Sequence, residues 1–231
     1  MDEATPPGPP HLADPRALQI LSTEHWSLLT ARSLVYNEFF SRGSMFLTLL
    51  SASLVALGFV YQGGGGGGAD FPLIVVAVLA LDLFVGLATL GRLIGASSEE
   101  LKALQAMNRI RHAYLEMVPT LEPYFSTGSH DDIGSVLSIY GARPERPSVQ
   151  LNVVHGLTTM PGMLSVINAA IAGGLAAAVV VTLGGDSRLA LVGGLLVGFA
   201  TTAALMGLGV RTFARQSRFV EARFPSPDAP G

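Results

Sequence analysis

FPLIVVAVLALDLFVGLATL, residues 71–90, is a run of twenty residues carrying one charge, Asp82. A helix of that length spans the roughly 30 Å hydrocarbon core of a bilayer. A surface helix of a soluble protein would keep a polar face, and this one has none. Met45–Tyr61, Met163–Leu183 and Leu189–Val210 read the same way. With 49% hydrophobic and only 13% charged residues, the composition agrees, and the fold expected is an all-α membrane protein with four transmembrane helices.

The basic residues orient these spans. Of the 14 Lys and Arg residues, only Arg188 falls in the short connections joining spans one to two and three to four. All the others precede the first span, lie between the second and third, or follow the fourth. Positive charge is retained in the cytoplasm, so both termini and the long central connection are expected there. The net charge of −3 averages an acidic N-terminal tail with a basic C-terminal helix, and no nucleic-acid partner is expected. The absence of cysteine removes disulfides, thiolate metal sites and Cys nucleophiles. Met1–Asp14 is acidic and proline-rich without a basic region leading into an apolar one, so the first span is expected to act as its own insertion signal.

Working outward, residues 1–15 read as a disordered tail. Segment 16–43 is expected to hold an amphipathic helix from near Ser22 or Thr23 to about Arg42. Leu28, Ala31, Val35 and Phe39 form its stripe, with Leu34 and Phe40 widening it, and Glu38 and Arg42 stand in the favourable i, i+4 order. Gly43 offers a bend before the membrane block 44–95, whose two spans are joined by the glycine-rich QGGGGGGAD. Region 96–160 is expected to be cytoplasmic and helical. Ser97 and Glu100 have capping-box spacing, and Leu104, Met107, Ile110, Tyr114 and Met117 make the apolar stripe of a helix from about Ser98 to Val118. Pro119–Gly128 reads as a loop, His130–Tyr140 as a short helix stopped by Gly141, and ARPERPS as a linker. Pro161 suits the first turn of the third span in the block 161–210. A basic helix, 211–224, then precedes the tail 225–231.

Asp82 is the outstanding candidate for chemistry, since it lies about 16 Å into its span, near the midplane. An ionised carboxylate there costs at least about 2.5–3.5 kcal/mol unless paired, hydrated or protonated. Ser51, Ser53, Asn168, Thr201 and Thr202 sit at comparable depth and are expected to form a polar belt around it, lining an ion or proton path. The competing reading is a protonated Asp82 acting as structural glue between helices. Ala170, Gly174 and Ala178, like Gly194 and Gly198, have the small-xxx-small spacing of close helix packing, within one protomer or between protomers. Arg92 is expected to snorkel to the interface, and Arg211, Arg215 and Arg218 to share a face for lipid headgroups or an anion vestibule. Ser129, His130, Asp131 and Asp132 resemble metal ligands, yet Ser129 with Asp132 has capping-box spacing at a helix start. His112 and His155 lack a matched ligand set. No catalytic, metal or cofactor constellation is present, so neither an enzyme nor a cofactor is expected.

The stretch LSTEHWSLLTARSLVYNEFFSRGSMFLTLLSASLVAL (Leu21–Leu57), with GLATLGRL (Gly86–Leu93), MNRIRHAYLE (Met107–Glu116) and EPYFSTGSHDD (Glu122–Asp132), resembles a group of actinobacterial multi-pass, four-helix integral membrane proteins without an assigned activity. The resemblance implies a bacterial inner-membrane protein and nothing about mechanism. The function expected is a homo-oligomeric channel or pore-like protein gated or assembled through cytoplasmic helices. The alternative is a non-conducting membrane scaffold or sensor acting through its cytoplasmic region. The partners expected are membrane lipid, further copies of the chain and, for the alternative, a cytoplasmic protein.

Overall fold

The computed structural model describes residues 12–64, 68, 70–139, 156–218 and 221–227, the side chains of 216–218 excepted. Most of the N-terminal tail, half of the glycine run, Tyr140 with Gly141, the ARPERPS linker, His155 and the side chain of Arg218 lie outside the described residues. The described residues form helices and irregular segments, with no strand among them. The helices are α1 (Ala17–Gly63), α2 (Phe71–Met117), a 3-10 helix (Pro119–Tyr124), α3 (Ile133–Ser138), α4 (Met160–Thr182) and α5 (Ser187–Arg218). Helices α1, α2, α4 and α5 are each long and apolar enough to cross a membrane.

Two expected breaks are absent. Residues 17–63 form one helix of 47 residues, and 71–117 another of the same length. Neither contains an interior proline beyond the first turn, so the chain of i to i−4 hydrogen bonds meets no obstacle. Gly43 is buried, and a Cβ there would meet Met160 Cε at 2.8 Å. Its lack of a side chain serves close packing rather than a bend. Glu100 turns away from the expected capping box and pairs with Arg32, Nε to Oε1 3.3 Å. Helix α2 stops where Pro119 follows Val118, and the expected loop after it contains the 3-10 helix.

The chain divides into two compact units. The first comprises Met1–Tyr36, Ser97–Ser148 and Ala214–Gly231, and the second Asn37–Ala96 and Val149–Phe213. In the second, α1 and α2 run antiparallel, with Tyr61 against Phe71, Ser53 against Asp82 and Glu38 against Arg92. Its buried residues include Phe46, Leu90, Leu93, Leu164 and Ile171. In the first, the same two helices pair through Arg32 with Glu100 and His25 with Tyr114. Its small apolar core is Leu101, Leu104 and Val136, with Ile133 and Ile139 packed on it. The expected stripe of the central helix is thus largely inward: Leu104, Met107 and Ile110 are buried, and Tyr114 and Met117 half-buried. The stripe of segment 16–43 is narrower than expected, because Ala31, Leu34 and Phe40 are exposed.

The expected helix over His130–Tyr140 is shorter, Ile133–Ser138, and Asp132 rather than Ser129 caps it by accepting the Ser135 N–H at 3.0 Å. Helix α4 opens as read, with Pro161 in its first turn behind the cap Thr159. Helix α5 carries the fourth span on through Arg211 and Arg215 to Arg218, but 221–227 is irregular rather than helical. Pro225 and Pro227 cannot donate to a helix, and the N–H groups of Arg223, Phe224 and Ser226 are taken by side chains of 131 and 132.

Candidate functional site

Two buried polar centres stand out, one in each unit. In the second unit, Asp82 is wholly buried and its Oδ1 accepts the Ser53 hydroxyl at 2.9 Å. Asn168 on α4 is equally buried and donates from Nδ2 to the Leu164 carbonyl at 2.8 Å. A carbonyl can only accept, so this contact fixes the amide with Oδ1 facing α2. There Oδ1 fills the place a side chain at Gly86 would take, one turn and about 6 Å along the helix from Asp82. Phe46 closes the same layer, with its Cζ 2.8 Å from a Cβ built at Gly86. Asp82 Oδ2 and Asn168 Oδ1 have no hydrogen-bond partner. Buried polar atoms are nearly always paired, so two orphan acceptors within one turn mark this layer as unusual.

The expected polar belt narrows to Ser53 and Asn168. Ser51 is exposed and returns its hydroxyl to the Leu47 carbonyl at 2.8 Å. Thr202 does likewise with Gly198 at 2.9 Å, and Thr201 beside it is half-buried. A hydroxyl satisfied by its own helix needs no neighbour, which is why depth alone misplaces such residues.

The small residues divide into two rows. Backbones of α4 and α5 approach closely where a Cβ on Gly173 would meet the Gly194 carbonyl at 2.7 Å, and one on Gly198 the Ala169 carbonyl at 3.3 Å. Gly194 and Gly198 therefore pack within the protomer. Ala170 and Gly174 are exposed instead and line a groove of about 490 Å³, with Leu195 and Phe199 on its other wall. Ala178, half-buried, continues their row on α4. Arg92 is more than an anchor: it grips Glu38 through Nε at 2.8 Å and Nη2 at 2.9 Å, while Arg42 adds a third contact at 2.7 Å. Arg92 foremost, then Arg42, hold the Glu38 carboxyl at about 2. Arg211 and Arg215 are exposed.

The centre of the first unit was not expected. Asp131 is wholly buried and takes the Arg109 guanidinium at 2.6 Å. Its carboxylate also accepts successive main-chain N–H groups of the C-terminal segment, from Arg223 at 3.0 Å and Phe224 at 2.7 Å. Asp132 accepts the N–H of Ser226 at 2.9 Å. Gln105 and Arg109 reach the Glu221 carbonyl, and His112 stacks on Phe224 with centroids 4.2 Å apart. Burial alone would raise the Asp131 carboxyl, but the donors from Arg223, Arg109 and Phe224 together hold it below its ordinary value. The sequence signal for this centre was the polar pair Gln105 and Asn108, which share the buried face of Leu101 and Leu104. Asn108 uses its place there to donate to the His130 carbonyl at 2.7 Å. Ser129 to Asp132 form no metal cluster; among the described residues no group of three metal-ligating side chains occurs.

Against known proteins, no family model, no curated protein and no solved structure matches this chain.

Proposed function

We propose that this chain is a bacterial inner-membrane protein, with both termini cytoplasmic, that works as a non-conducting scaffold or sensor through its first unit. The carrying observation is the Asp131 centre. A buried carboxylate that receives two successive main-chain N–H groups recognises an extended peptide by its backbone, largely without regard to side chains. The resident peptide is the chain's own C-terminal segment, and a cytoplasmic partner protein offering an extended segment competes for the same donors and acceptors. The bacterial inner-membrane placement is supported by the resemblance to the actinobacterial four-helix group, and the orientation by the one-sided arginines.

The test is co-purification from native membranes, comparing wild type with Asp131→Asn. A stoichiometric partner whose yield changes in the variant supports the reading, and an identical set of proteins from both sinks it.

A homo-oligomeric channel is the second reading, favoured by the α4/α5 groove, whose small-residue wall admits a helix of another copy. Single-channel recording from purified protein in bilayers separates the two: unitary conductance altered by Asp82→Asn supports the channel. Silence at every voltage and pH supports the scaffold.

A further inference from the structure

We propose that Asp82, Ser53 and Asn168 form an exchangeable proton-binding site inside the protomer. The site is built from three helices: Ser53 from α1, Asp82 from α2 and Asn168 from α4. It presents two unpartnered acceptors, Asp82 Oδ2 and Asn168 Oδ1, both on wholly buried side chains. A single hydrogen bound to Asp82 Oδ2 leaves the carboxyl neutral, so that no bare charge is enclosed in the layer. The proton comes from water and returns to it, with no other bond made or broken.

The ligand is a proton rather than a metal cation on grounds of space and charge. Asn168 Oδ1 already occupies the volume a Cβ at Gly86 would need, and Phe46 fills the layer beside it. A proton needs no such volume, whereas a cation needs several oxygens around it at fixed distance. One carboxylate also carries one charge, and the elements packed on it bring no counter-charge. The α1 block 45–61 and α4 hold no acidic or basic residue, and α1's Tyr61 is held at the far end of its block against Phe71. On α2 the next charged residue is Arg92, already paired with Glu38. Release of the proton leaves an uncompensated charge between α1, α2 and α4, and that charge favours separating α4 from the hairpin.

Infrared difference spectroscopy of the full-length protein in lipid nanodiscs reads the site directly. In wild type a protonated-carboxyl carbonyl band is expected that declines as pH rises, shifts in D2O and is absent in Asp82→Asn. In Ser53→Ala the same band moves to higher frequency, because the carboxyl loses the hydroxyl that donates to Oδ1. A carboxylate signal alone at every pH overturns the proposal. So does a band that neither titrates nor exchanges, which would make Asp82 permanently neutral packing. A band displaced by sodium but not by choline chloride overturns it too, in favour of a cation site. None of these readouts needs a partner, so they stand apart from the reading of the first unit.

Discussion

Ser53 and Asp82 face each other across the α1/α2 hairpin, hydroxyl to carboxyl at 2.9 Å, in a layer from which solvent is excluded at Asp82. Ser53→Ala removes the one hydrogen bond that Asp82 receives among the described residues. The expected loss is about 1–3 kcal/mol, the cost of leaving a buried acceptor unsatisfied. It is checked by denaturant or thermal unfolding in detergent, with Ser51→Ala, an exposed serine bonded only to its own helix, expected to change little.

Gly86→Ala places a methyl where Asn168 Oδ1 stands. Overpacking of this kind costs about 1–3 kcal/mol. Gly91, a little over one turn further on, has nothing within 4 Å of a built Cβ. There alanine is expected to be neutral or to stabilise by up to about 1 kcal/mol through helix propensity. Parallel melting curves of the two variants therefore move in opposite directions or differ clearly in size.

Much of this was readable in advance, and the failures have a common cause. The four spans and the isolation of Asp82 follow from local composition, because lipid tolerates little else over twenty residues. The breaks at Gly43 and Ser97 were misplaced because glycine and capping signals are local, whereas the contacts of Gly43 with Met160 and Glu100 with Arg32 are not. Ala170, Gly174 and Ala178 share α4 with a second small row, Ala169, Gly173 and Ala177, one residue out of phase, and no spacing rule says which row meets α5. Asp131 was read as part of a helix start because its defining partners are 92 and 93 residues away.

Asp131→Asn keeps the shape of the clamp and removes its charge. Hydrogen bonds to a charged group contribute about 1.5–3 kcal/mol, so amide exchange at Arg223 and Phe224 is expected to quicken roughly 10- to 100-fold. Hydrogen exchange read by mass spectrometry checks this, with Ile133–Ser138 as an internal control. Because the wild-type carboxyl is held below its ordinary value of 3.8, the clamp is at full strength above that value and is lost as pH falls below it.

The Glu38 contacts carry their own acid signature. With the folded carboxyl at about 2 against an ordinary 4.5, their contribution is complete above about pH 4.5 and disappears as pH falls from there towards 2. Unfolding of wild type and Glu38→Gln is therefore expected to differ at pH 6 and to converge near pH 2. High salt is expected to shrink the difference, since the pair is partly exposed.

The central claim is that Asp82 is enclosed within the protomer, open to exchange of a proton but closed to solutes the size of a thiol reagent. The chain has no native cysteine, so Asp82→Cys introduces a single thiol, and labelling by a membrane-impermeant thiol reagent from each side of sealed vesicles reports its access to water. The account predicts no labelling at position 82 from either side, while Arg215→Cys, at an exposed position, labels fully from one. Rapid labelling at position 82 from either side would contradict it.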